Sequence, residues 1–147
     1  MNADVLRGFF EGRVPGITLA QETALSESLL EGGEYTAVGT DLESEFTVRP
    51  VHLVALCDAV LKGELKAARL EVLASVLVRS EKFMWDPRTK EGGLVSRVIY
   101  AWEAPEINYV LSTATAAKFR HMLVTGENEF DDADWSDTGR PDVRASL

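Results

Sequence analysis

Leu53, Leu56, Cys57, Val60 and Leu61 recur at i, i+3, i+4, i+7 and i+8, the spacing that lines one face of an α-helix. Leu70, Leu73, Ala74, Leu77 and Val78 repeat the pattern, and Val95, Val98, Ile99 and Trp102 fit it a third time. Gly63 falls where the first of these helices would end or bend, so the first two read as an α-hairpin. Asp86-Pro87 would terminate the second, because proline disfavours helix in the residue before it. Glu91-Gly92-Gly93 reads as a turn ahead of the third. Leu94 to Tyr100 is rich in β-branched residues and also admits a strand reading.

Upstream, Asn2 is placed to cap a short helix carrying Val5, Leu6, Phe9 and Phe10 on one face and ending near Gly12. Pro15-Gly16 reads as a turn. Thr18 and Gln21 have the spacing of a capping box, which opens a helix running to Glu31, with Gly32-Gly33 as its stop. Tyr35–Val38 and Phe46–Val48 carry strand character, so a small β-hairpin is expected near residues 35–48. Downstream, Pro105 breaks the third stripe. Ser112 or Thr113 then caps a last helix with Ala116, Phe119 and Leu123 inward, closed by Gly126. The expected fold is mainly α: a single compact helical domain of about five helices over residues 1–125. An acidic, flexible C-terminal tail is expected over 126–147.

Charge adds a regional pattern to this frame. The 147 residues hold 24 acids against 15 Lys and Arg, a net charge of −9. Residues 22–45 contain seven acids and no base, residues 126–147 are net −5, and the helical middle, 46–125, is net +3. Such an excess disfavours nucleic acid as a partner, since phosphate attraction needs a Lys/Arg surplus on at least one face. Blocks of like charge are ordinarily solvated faces; the sharper reading is a docking surface for a basic partner. The N-terminus has neither the basic start nor the apolar core of a signal peptide. Apolar runs such as Val51–Val60 fall short of the roughly 20 residues that span a bilayer. No membrane association and a cytoplasmic location are therefore expected.

Candidate chemistry is sparse. The single cysteine, Cys57, lies on an apolar stripe and reads as a small buried hydrophobe rather than a nucleophile. His52 and His121 fall on different helices with no ligand at i+3 or i+4, so no metal or other cofactor is expected. Glu31-Gly32-Gly33-Glu34 and Glu91-Gly92-Gly93-Leu94 lack the glycine spacing and lysine of a phosphate loop. Carboxylate pairs such as Glu103/Glu106 and Asp131/Asp132 read as solvated acids, because sequence spacing cannot set two carboxyls across a cleft. The most distinctive runs are Phe83–Pro87 and Tyr100–Tyr109, where Trp85 and Trp102 each precede an acid near a proline. Such aromatics serve as core plugs at helix ends or as anchors in an interface.

Four segments, Leu53-x-x-Leu56-Cys57-Asp58-Ala59, Gly63-Glu64-Leu65, Ser80-Glu81-Lys82-Phe83-x-Trp85-Asp86 and Trp102-Glu103-x-Pro105-Glu106-Ile107-Asn108-Tyr109, form a pattern of helix-core and helix-end residues. The pattern resembles small acidic bacterial immunity proteins of polymorphic or contact-dependent toxin systems. The resemblance spans residues 52–123. It implies a non-enzymatic inhibitor that binds one cognate toxin, often a basic nuclease, in the producing cell. No binding residues come with it. Charge and aromatic content nominate Glu31, Glu34, Asp41, Glu43, Glu45, Trp85, Trp102, Glu106, Tyr109, Asp131, Asp132 and Trp135 as partner-binding residues. The alternatives are a small helical enzyme or ligand-binding domain with a pocket between helices, or a scaffold subunit of a larger assembly.

Overall fold

A computed structural model describes residues 1–31 and 41–136, without the side chains of 26–31. Six α-helices appear among them: α1 (Ala3–Phe10), α2 (Gly16–Glu31), α3 (Pro50–Leu61), α4 (Arg69–Arg79), α5 (Lys90–Glu103) and α6 (Thr113–Thr125). Two short strands, β1 (Phe46–Thr47) and β2 (Phe83–Met84), pair in parallel, Phe46 opposite Phe83. The protein is thus mainly helical, as the periodicity predicts.

Helix ends follow local chemistry where short polar residues supply it. Asn2 accepts from the Asp4 N–H at 2.9 Å, which satisfies a donor in the first turn of α1. Ser112 and Thr115 cap α6 reciprocally, and Gly126, at φ +80°, closes it in the left-handed conformation that favours glycine. Gly63, also at φ +80°, stops α3. The second helix departs from expectation: it starts at Gly16, one turn before the Thr18/Gln21 box would place it. Pro15 precedes that first residue, and its carbonyl already accepts the Leu19 N–H.

The core collects the predicted stripes. Leu53, Leu56 and Cys57 of α3, Leu70, Leu73 and Leu77 of α4, and Val95, Val98, Ile99 and Trp102 of α5 are all buried. Each large apolar side chain removed from water contributes about 1.5–3 kcal/mol. Leu61, the last position of the first stripe, is instead 40% exposed, since α3 ends there.

Four expectations are corrected. The α3–α4 pair is not a packed hairpin: α3 lies mainly on α6 and α4 on α5, so sequence neighbours turn to different partners. Helix α4 stops at Arg79, well before Asp86-Pro87, because residues 80–84 turn to carry β2 into the sheet. Phe46-Thr47 does form a strand, and its partner among the described residues is Phe83-Met84, far along the chain. The upstream half of the expected hairpin, Tyr35–Val38, lies outside the described residues. Glu91-Gly92-Gly93 belongs to the first turn of α5, whose cap is Thr89, and Leu94–Tyr100 is helix.

Candidate partner-binding surface

Beyond Gly126 the chain turns back across the domain, and residues 127–136 lie against it rather than apart from it. The Phe130 ring stacks on Tyr109, with centroids 3.8 Å apart and planes within 10°, and meets the Phe119 edge at 4.7 Å. Trp135 sits 4.3 Å from the same tyrosine. An antiparallel bridge joins the backbones: the Val110 N–H donates to the Asp134 carbonyl and the Ser136 N–H to the Asn108 carbonyl, both at 2.8 Å. The packing unit expected to end at 125 therefore extends at least to Ser136; residues 137–147 are outside the described set.

Polar contacts fix this strap. The buried Asp134 carboxylate accepts from the Lys118 ammonium at 2.5 Å and from the Asp131 N–H at 2.8 Å. Burial alone would push the Asp134 carboxyl up, but those donors outweigh it and hold it below the usual aspartate range. Asp131 in turn accepts the Ala133 N–H and lies 3.6 Å from Lys118. His121 reaches Glu129 at 2.8 Å and Glu127 at 3.5 Å. With these anchors in place, Glu127, Glu129, Asp131 and Asp132 remain exposed. Glu106 adjoins them, since its carbonyl accepts the Ser136 hydroxyl at 2.6 Å.

The second acidic segment stands elsewhere. Asp41 is committed internally: its carboxylate accepts from the Ser80 hydroxyl at 2.6 Å and from the Glu81 and Leu42 N–H groups. Burial opposes its ionisation, and these three donors reverse that and lower its pKa. This clamp ties the loop before β1 to the C-terminal end of α4. Glu43 and Glu45 project from that loop, exposed and without a hydrogen bond or ion pair among the described residues. The side chain of Glu31 and all of Glu34 lie outside the described residues.

These placements divide the predicted surface. Glu71, in the first turn of α4, has its carboxyl pushed up by burial and then by the charge of Glu106, so Glu106 neighbours the N-terminal end of that helix. Asp41 marks the other end. An 11-residue helix, about 16 Å long, separates the strap with Glu106 from the loop with Glu43 and Glu45. The structure brings together Glu106, Tyr109, Asp131, Asp132 and Trp135, and sets Asp41, Glu43 and Glu45 apart from them.

Of the tryptophans, Trp102 is corrected outright. It is fully buried against Phe119, at 5.7 Å in a T-shaped pair, because its place on the Val95–Ile99 stripe points it inward; it is a core plug. Trp85 is half-buried against the core, and Tyr109 and Trp135 are half-exposed within the strap cluster. Sequence reading nominated Trp135 but not Phe130, whose seat on Tyr109 needs the chain reversal after Gly126.

The remaining reactive groups have structural duties. Burial, with Asp58 second, pushes the Cys57 thiol up to about 12, so it stays protonated. His52 packs among Phe10 and Phe46, and its Nδ1 accepts the Arg49 N–H at 2.8 Å at the start of α3. Burial, then the Arg49 charge, holds its pKa below the ordinary 6.5. A histidine with a lowered folded pKa binds more protons unfolded, so its contribution is complete above pH 6.5 and fades as pH falls beneath it. The thermal midpoint is expected to decline between pH 7 and 5, ahead of carboxylate titration near 4, and less steeply in His52→Gln. Equal slopes in the two proteins would refute the role of this cap.

Among the described residues no three His, Cys, Asp or Glu side chains gather where a metal could sit, and no helix is long and apolar enough to cross a membrane. An open cleft of about 390 Å³ lies between the α1–α2 turn and α3, and neither histidine lines it. Fold and surface together define a small, mainly helical domain with acidic segments at both ends of α4. Comparison with known proteins finds no matching family model, no matching curated protein and no matching solved structure.

Proposed function

We propose that this chain is a non-enzymatic inhibitor, an immunity protein that neutralises a cognate basic toxin, with nucleases the target class that its resemblance implies. The observation that carries this reading is the strap end of the molecule. Exposed Glu106, Ile107 (46%) and Val110 (41%) lie on the segment that Tyr109 joins to the half-exposed Trp135, and exposed Asp131 and Asp132 lie on the strap that carries this tryptophan. An apolar centre within a charged rim is how protein interfaces are commonly built. The acids would accelerate encounter with a basic partner, and the apolar groups would slow its release.

The test begins with affinity capture from the source cell and continues with the captured toxin in purified form. Its activity is expected to fall to background at equimolar inhibitor. Association should slow as salt rises, and by roughly tenfold in Glu106→Lys/Asp132→Lys. Glu43→Lys/Glu45→Lys, at the far end of α4, should have the smaller effect. A rate indifferent to ionic strength and to both reversals would remove the electrostatic basis of the proposal.

A further inference from the structure

The cleft between the α1–α2 turn and α3 is built by backbone geometry remote from the strap. The N–H groups of Arg13 and Val14 both donate to the Gly8 carbonyl, which folds the turn back onto α1. Val14 lies so close to Gly8 that a side chain there would collide with it at 2.6 Å. Phe9, Val14, Pro15, Ile17, Ala55 and Ala59 then give the cleft an apolar lining, and Ile17 stays 60% exposed at its edge.

Three charged side chains line the same cleft, and among the described residues only Asp58 has an ion-pair partner. The Asp58 carboxylate accepts from Arg120 Nε at 2.6 Å. Lys62, just past the end of α3, makes no side-chain hydrogen bond or ion pair among the described residues. Glu64 makes none either; its carboxylate lies against Gly16 in the first turn of α2, where the positive helix end favours it. Among the described residues, Lys62 and Glu64 thus border this apolar cleft without an ion pair to each other or to another side chain.

We infer that this cleft binds a small zwitterion with an apolar side chain, of the class of free hydrophobic amino acids. The carboxylate of the ligand would meet Lys62, its ammonium would meet Glu64, and its side chain would cover Phe9, Val14 and Ile17. A cleft of about 390 Å³ falls within the usual size of small-ligand sites. This site is independent of the inhibitor reading, which concerns the other surface.

L-Phenylalanine, phenylpropionate and phenethylamine, titrated into the full chain and followed by backbone-amide NMR, separate the three contributions. Phenylalanine is expected to give saturable shifts confined to the α1–α2 turn and α3, with each single-charge analogue about tenfold weaker. Lys62→Gln should bring phenylalanine down to the affinity of phenethylamine for the native chain, and Glu64→Gln down to that of phenylpropionate. Neither variant should change the helical circular dichroism. Equal affinity for the three compounds, unchanged affinity in both variants, or no saturation at millimolar concentration would each overturn the site.

Discussion

Trp102→Ala is expected to destabilise the domain by about 3–5 kcal/mol, the range for emptying a buried aromatic position. The ring is fully buried, and its loss removes the edge-to-face partner of Phe119. Phe119 also touches Tyr109 and Phe130, so the effect should travel along this aromatic row to the strap. Chemical denaturation would measure the loss, and amide exchange of residues 130–136 would register the loosened strap. Trp102→Phe provides the control. The indole Nε1 is buried with no hydrogen-bond partner among the described residues, so exchanging it for phenyl leaves a smaller void and removes an unsatisfied donor. That variant should lose less than half as much. Comparable losses in the two would mean that volume is not what this position supplies.

The same residue shows what was legible in the sequence. Trp102 belonged to two patterns, the 3.6-residue stripe of α5 and an aromatic run near proline, and the stripe decided its fate. Periodicity reports which face a helix turns inward, and it placed Leu53, Leu70, Val98 and Phe119 correctly. Caps made by adjacent side chains, at Asn2 and Ser112, were equally readable. What was not readable depends on distant segments. Phe46 finds its strand partner at Phe83, α3 turns from α4 to α6, and Asp41 is claimed by Ser80. For the same reason the described carboxylates divide between the two ends of α4, Glu43 and Glu45 near one and Glu106 with the strap near the other. Phe130 and Trp135 stand too far apart in the sequence to build a core of their own; they join the aromatic row that Tyr109 and Phe119 have already built. Lys62 and Glu64 carried no signal because their meaning lies in a turn some fifty residues upstream.

Gly92→Ala carries the second large effect, and its sign runs against helix propensity. In an exposed helix this change is favourable by about 1 kcal/mol. Gly92 lies in the first turn of α5, where its N–H donates to the Thr89 hydroxyl oxygen at 2.9 Å. That hydroxyl donates to the Asp86 carbonyl at 2.9 Å, and the Thr89 N–H donates to the same oxygen at 3.1 Å. The loop after β2 is thereby drawn tight over the helix start, and a Cβ on Gly92 would occupy the place of the Asp86 carbonyl. The obstacle is backbone, so no rotamer change relieves it; overpacking of this kind costs about 1–3 kcal/mol or more. The loop must lift, and Trp85, next to Asp86 and packed on the core, must move with it. The expected result is a lower denaturation midpoint with a loss of at least about 2 kcal/mol. Gly93→Ala isolates the cause, because its Cβ would approach the Pro87 carbonyl only to 3.3 Å, a contact that a shift of a few tenths of an ångström relieves. It should be near neutral. Were Gly92→Ala as stable as Gly93→Ala, the close passage of Asp86 over α5 would not be the constraint that requires glycine.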